Sequence, residues 1–223
     1  MSSALLGVFA GGITSLPPDG TPSGIFKHPV AGPVRVGVEG LEGDRQADRR
    51  VHGGAEKAVH LYPAGHYARL AAAFPALASA FVPGSMGENL SVAGWDEESV
   101  CIGDVFRVGN CRLQVSQPRS PCWKINHKFG DEGLAEFIAR EGITGWYFRV
   151  LEGGSLAVGD AFELLARNPA PVSLARLGRA QREHRPNLLE LREIAATPGL
   201  SPAVAKKLLD RLGWLERLKR PAV

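Results

Sequence analysis

Ser116-Gln117-Pro118-Arg119-Ser120-Pro121-Cys122-Trp123-Lys124-Ile125-Asn126 sets one cysteine between two prolines and a tryptophan, with Arg119 before it and Lys124 after it. Pro118 and Pro121 each fix φ and lack a backbone donor, so the segment reads as neither helix interior nor central strand. The expectation is a stiff loop, entered from a short strand at 113–115 and presenting one thiol. Cations beside a cysteine favour its thiolate, the form that ligates metals or attacks electrophiles. A buried structural cysteine at a strand-to-helix corner is the competing reading, and the rest of the chain has to decide between them.

Working towards the N-terminus, short apolar runs broken by Gly and Pro predict strands at 5–10, 24–27, 34–38, 99–102 and 105–108. Many short strands with frequent turn signals suggest a closed or nearly closed antiparallel β-structure. Neither a G-x-G-x-x-G opening a helix nor a P-loop occurs, so a nucleotide-binding α/β fold is unsupported. The segment 43–60 packs charges, His52, His60 and the pair Gly53-Gly54 into a turn ahead of an apolar run. Such glycines permit positive φ and close backbone approach to an anion or a flat ligand, with Lys57 and His60 to supply charge. An ordinary exposed turn accounts for the same residues. Zinc is not indicated, because His52, His60 and His66 lack metal-ligand spacing and a cysteine pair. Residues 66–81 read as an amphipathic helix interrupted at Pro75, and Gly87-Glu88-Asn89-Leu90 as a loop in which Asn89 can donate and accept.

Beyond the cysteine, a short helix at 134–141 and strands at 145–151 and 162–165 are expected. Asn168-Pro169-Ala170-Pro171 marks the clearest boundary, after which the period becomes helical, with Ser201-Pro202 a fitting start for the last helix. The organisation read from this is a β-barrel domain over 1–167 and a three-helix extension over 170–223. The 223 residues carry a net charge of +3, which divides into −3 for 1–169 and +6 for 170–223. A basic tail could meet nucleic acid or an acidic protein, but with no nucleic-acid motif a solvated helical face is the plainer explanation. Cys101, Cys111 and Cys122 are odd in number and unpaired in spacing, so no disulfide framework is expected. The apolar start lacks basic residues ahead of it and is too short to span a membrane, so a cytoplasmic protein with no membrane contact is expected.

Six ordered segments together resemble the MOSC domain, and within it the YiiM-type branch of 6-N-hydroxylaminopurine resistance proteins. They are Gly43-Asp44-Arg45-Gln46-Ala47-Asp48 with Val51-His52-Gly53-Gly54; Lys57-Ala58-Val59; Tyr62-Pro63 with His66-Tyr67; Gly87-Glu88-Asn89-Leu90; Ser116-Gln117-Pro118-Arg119 with Pro121-Cys122; and Gly145-Trp146-Tyr147. The resemblance covers roughly 5–165, and the helical tail is similar to the three-helix extension of the same branch. It implies a mostly β fold with helices, a twisted β-barrel whose pocket holds molybdopterin-bound molybdenum, with Cys122 as the protein ligand to the metal. A soft thiolate suits such a sulfur-rich centre. The pterin phosphate and edges would be met by Arg119, Lys57, Asn89, Gln117, Ser116, His52 and Gly53, with Lys27 a weaker choice; Arg119 leads because its planar fork matches such groups.

The activity implied is reduction of small N-hydroxylated compounds, hydroxylaminopurine-type base analogues among them, to amines. Cys122 and Arg119 are its expected catalytic pair. With no flavin or iron–sulfur pattern in the chain, electrons must come from a separate flavoprotein reductase. No nucleic-acid polymer is expected as a partner, and a homodimer is left open. Three alternatives stand beside this reading: a cofactor carrier or persulfide sulfur-transfer protein using Cys122, a noncatalytic binding module, and, less well supported, a Cys–His hydrolase using His127.

Overall fold

The computed structural model describes residues 2–48 and 53–219. Seven strands close a barrel: β1 (Ser2–Ala10), β7 (Val59–Pro63), β8 (Leu90–Val92), β9 (Val105–Val108), β10 (Cys111–Pro118), β11 (Trp146–Glu152) and β13 (Ala161–Ala166). Around the barrel they run β13-β9-β10-β11-β7-β8-β1, and β1 returns to β13 through Ser2↔Glu163, Ser3↔Phe162 and Ala4↔Ala161. Short strands β2 (Thr14–Leu16), β3 (Thr21–Ser23), β4 (His28–Pro29), β5 (Val34–Gly37), β6 (Gly40–Leu41) and β12 (Gly154–Leu156) form flanking hairpins and edges.

The barrel is mixed, which corrects the antiparallel expectation. β7 and β8 are parallel, Leu61 facing Leu90. Parallel neighbours need a crossover. Here it carries helix α1 (Gly65–Ala73) and a 3-10 turn, Pro75–Ala80, so Pro75 ends the helix where the sequence breaks it.

Alternating inward positions fill the barrel with Leu5, Leu61, Phe106, Leu113, Phe148 and Phe162, all essentially buried. Phe106 and Phe162 stack at 4.4 Å between ring centroids. Each such side chain contributes about 1.5–3 kcal/mol on full burial. Helices α4 (Leu174–Arg182), α5 (Leu188–Ala195) and α6 (Pro202–Lys219) follow, with Ser173 Oγ and Asn187 Oδ1 accepting from first-turn amides of α4 and α5. Their Leu177, Leu191, Ile194 and Leu208 join the apolar cluster that contains the barrel residues. A second cluster, including Tyr62, Leu70, Met86, Ile125 and Ile138, lies under α1, α2 (Trp123–Phe129) and α3 (Leu134–Glu141).

The cysteine segment differs from the expected loop at both ends. β10 continues through Pro118, which faces Trp146 at the strand's last position, where a missing N–H costs little of the ladder. Cys122 is already the N-cap of α2, so only 119–121 is irregular. Two expected strands also fail. Residues 24–27 link β3 to β4 without pairing, and 99–102 contribute a single bridge, Cys101 to Ser173. No described helix is long and apolar enough to cross a membrane.

Candidate functional site

The turn from β10 into α2, the start of α2, Lys57, His60 of β7, Tyr147 of β11 and the loops 23–27, 45–47 and 86–89 surround a cleft of about 670 Å³, part of it open to solvent. Cys122, Arg119, Lys57, Asn89 and Lys27 all line it, so five expected site residues meet in one place. Ser116 and Gln117 do not line it. Ser116 sits at a β-bulge, where the register shifts between Val115↔Phe148 and Gln117↔Tyr147, and its Oγ lies 2.5 Å from Glu56 O and 3.1 Å from Tyr147 O. The serine thus holds the 3-10 turn Ala55–Lys57 against the barrel, and with it Lys57. Gly53 is half-buried outside the cleft lining. His52 lies outside the described residues.

Arg45, Lys57, Lys124, Lys27 and Arg119 make the lining strongly cationic, and no Asp or Glu is among its described residues. Lys27 is neutralised from behind: its Nζ donates to Asp44 Oδ2 at 2.7 Å, both side chains being buried. Burial pushes the Lys27 ammonium down from its usual range, and Asp44 opposes that shift. Asn89 spends its amide internally, donating to Phe9 O (3.2 Å) and Asp44 Oδ2 (3.0 Å) and accepting from His60 N (3.0 Å). It therefore ties β1, β7 and the Asp44 loop together as well as forming cleft wall. Burial, with Lys207 of α6 adding, lowers the Lys57 ammonium.

Among the described residues that line the cleft, two buried side-chain nitrogens have no hydrogen-bond partner. Arg119 is 8% exposed and its Nη1 is unpaired; His60 is 4% exposed and its Nε2 is unpaired. Unpaired buried donors and acceptors cost about 1–3 kcal/mol each, so native structures normally give them a partner. Burial first, then Arg119 and Lys27, holds the His60 imidazolium far below its usual range, leaving a neutral ring. Tyr147 lies beside it, ring centroids 5.1 Å apart, with its hydroxyl kept protonated chiefly by burial. The loop over Gly84–Asn89 is set by Glu88, which is fully buried and accepts from Tyr67 Oη and Gly84 N. Gly87 has φ +78, and a Cβ there would fall 2.9 Å from Ile25 Cγ1, so this part of the wall requires glycine.

A thiol, an unpaired guanidinium, several cations and a carboxylate-free lining fit an anionic, sulfur-rich group such as a pterin dithiolene with its phosphate. No cluster of three or more His, Cys, Asp or Glu able to hold a bare metal ion occurs among the described residues. Sequence reasoning did not reach Ile25 or Met86, and it placed Tyr147 in a motif without a role. Apolar wall residues carry no chemical signal, and Ile25 and Met86 come together only through the packing of the loops 23–27 and 84–89.

A second groove, of about 1430 Å³ including open solvent, lies between the barrel, α3 and α4 and shares Arg119 and Ser120 with the cleft. His66 and Glu97 line it, their side chains 2.7 Å apart.

The arrangement defines a closed mixed barrel with one cysteine at a cationic cleft. The MOSC domain model matches residues 48–163, and the chain belongs to the MOSC family. Protein YiiM of Escherichia coli K12 is 42% identical over 160 residues, 72% of this chain and 71% of that protein. Its crystal structure superposes with a TM-score of 0.81 at 28% identity, covering 96% of this chain and 94% of that one. YflK of Bacillus subtilis 168, an uncharacterised protein, is 42% identical over 193 residues, covering 85% of this chain and 86% of its own. A Gibberella moniliformis protein named Reductase is 36% identical over 177 residues, 79% of this chain but 31% of that longer protein.

Proposed function

We propose that the chain is a molybdenum-cofactor-dependent oxidoreductase that reduces small N-hydroxylated compounds to amines. The observation that carries this is the single thiol of Cys122 in a cationic cleft beside a buried, unpaired arginine nitrogen. The net reaction, R–NHOH + 2 e⁻ + 2 H⁺ → R–NH₂ + H₂O, breaks one N–O bond and needs an external two-electron reductant. The cofactor, when bound, supplies the redox centre. Cys122 would be its protein ligand. Arg119 and Lys57 would hold its phosphate or pterin edge, and Arg45 and Lys124 would screen charge at the rim. Neutral His60 and protonated Tyr147 offer uncharged hydrogen-bonding groups deeper in the cleft, and neither brings a carboxylate to repel an anion. Electrons come, in this reading, from a separate flavoprotein reductase, and the reaction is placed in the cytoplasm.

The test is elemental analysis of wild type and Cys122→Ser purified from a host that makes the cofactor, followed by reduction assays on a hydroxylaminopurine with a chemical electron donor. The expected result is near-stoichiometric molybdenum in wild type, and its loss, or loss of turnover, in the variant. No molybdenum in either protein refutes the proposal and turns attention to a persulfide on Cys122.

A further inference from the structure

We propose that Glu97, held by His66, is a positioning residue that sets Arg119 at the Cys122 cleft through the backbone of Gly145. Glu97 Oε1 accepts from Gly145 N at 2.7 Å, and Gly145 O accepts from Arg119 N at 3.0 Å. Glu97 Oε2 lies 2.7 Å from His66 Nε2, and both residues are 5% exposed. The inference rests on the proposed function for the use made of Arg119, although its test does not.

Three features make this a mount for Arg119 as well as a buried ion pair. First, the carboxylate is itself fixed. Trp95 packs at 5.1 Å on Phe106 and donates from Nε1 to Ser3 Oγ, Asp96 and Ser99 close a turn on each other, and Ala175 N donates to Glu97 O at 2.8 Å. Second, Gly145 lies close against β7: it has φ +68, and a Cβ there would fall 2.3 Å from Leu61 O, so the position requires glycine. Third, segment 119–121 has few other restraints. Pro121 has no N–H, and among the described residues the Arg119 N–H is the one backbone donor of that segment with a bond. Gly145 O, which also accepts from Thr144 Oγ1 at 3.0 Å, carries the β10–β11 pairing one residue past Pro118 onto Arg119 N, and Glu97 fixes the 144–145 peptide whose N–H it holds. A charge-assisted acceptor of this kind is stronger than a neutral one, and a buried carboxylate with two partners resists displacement.

The test reads the field at Cys122 in protein free of cofactor. Cys122 is alkylated with iodoacetate, an anion, and separately with iodoacetamide, which is neutral, and its peptide is followed by mass spectrometry; Cys101 and Cys111 are buried and serve as internal references. The ratio of the two rates measures local positive potential. Wild type is expected to exceed Arg119→Ala by about threefold or more at low salt. Glu97→Ala should fall to the Arg119→Ala ratio, and the double variant should fall no further. Glu97→Gln keeps an amide oxygen for Gly145 N and should restore the wild-type ratio. Asp104→Ala, which removes the buried carboxylate that half-exposed Arg167 pairs with elsewhere, should lower the Tm and leave the ratio unchanged. Should Glu97→Ala not fold, Glu97→Asp, a methylene too short to reach Gly145 N, carries the decision in the same direction. A folded Glu97→Ala or Glu97→Asp protein with the wild-type ratio, a loss additive to that of Arg119→Ala, or a wild type matching Arg119→Ala overturns the proposal. A protein that binds no molybdenum yet shows the expected ratios keeps the positioning role and loses the cofactor reading.

Discussion

Arg119 is buried, and its guanidinium Nη1 has no hydrogen-bond partner among the described residues. Burying a cation in this way is costly unless an anion completes its surroundings. A point charge and a planar fork make different demands there: lysine keeps the charge, but only arginine presents parallel N–H donors to a phosphate or pterin edge. Arg119→Ala is therefore expected to lower molybdenum retained after dialysis by about tenfold, one such charge-assisted pair being worth roughly 1.5–3 kcal/mol. Arg119→Lys should recover only part of that loss. Full recovery by lysine, measured as metal per protein, would show that charge alone is needed and that the fork plays no part. At this scale the sequence was informative where residues carry chemistry. Cys122, Arg119 and Lys57 stand out by type and by neighbours, and all three reach the cleft. Ser116 was misleading because a hydroxyl near a cysteine looks like a ligand contact, whereas the bulge turns it onto Glu56 O. Glu97 gave no signal, being one carboxylate among several in an acidic turn until folding sets it on Gly145.

Among the elements, α2 joins the cleft's parts. It begins at Cys122, and five residues beyond its first position Lys128 donates to Ile25 O at 3.2 Å and Ser85 O at 2.6 Å. One ammonium thus braces both loops that form the apolar wall. Burial lowers the Lys128 pKa to about 8, with Arg119 and Lys27 adding to the shift and Glu88 opposing it. In the unfolded chain the group titrates near the usual lysine value of about 10.4. Below pH 8 both states are charged and the fold bears the burial cost. Between the two values the unfolded state binds more protons, so rising pH favours the fold. A neutral amine still has two N–H donors, so both carbonyl contacts survive deprotonation. Wild type should accordingly gain Tm relative to Lys128→Met as pH rises from 7.5 to 9.5, as followed by circular dichroism. Parallel Tm profiles for the two proteins would show that Lys128 is not the titrating group. The prolines ahead of α2 drew the reading towards a loop: they do exclude a helix up to Pro121, but the residues after Cys122 are free of Pro, and Gly130 supplies the left-handed stop at φ +69, so the cysteine sits at the strand-to-helix corner of the competing reading.

For the molecule as a whole, alternation and turn residues made a barrel legible, and the Asn168–Pro171 break marked the start of the helices. The parallel β7–β8 pair was not legible, because pairing direction depends on where the crossover through α1 returns the chain. Nor does periodicity reveal what the helices pack against. The division into 1–167 and 170–223 drawn from the sequence implies two units, and cooperativity of unfolding is what decides it. Leu177, Leu191, Ile194 and Leu208 share one apolar cluster with barrel residues Leu5, Phe106 and Phe162. Polar ties cross the boundary as well: Ser201 N donates to Ser116 O at 2.9 Å, and Ile102 N to Val172 O at 2.9 Å. Separating the helices would expose apolar surface on both sides at a cost of about 25 cal/mol per Å², leaving little to hold two short helices and α6 together alone. Calorimetry of the full chain is therefore expected to show one transition with equal calorimetric and van't Hoff enthalpies. Leu191→Ala, opening a cavity on the helical side, should destabilise that single transition by about 2–5 kcal/mol. Were the helices an independent unit, the variant would instead split off a low-temperature step and leave the barrel's transition where it was. Because Ser201 is bonded to the bulge at Ser116, that split would also leave the cleft without its support from behind, and Cys122 alkylation would quicken in the interval between the two steps.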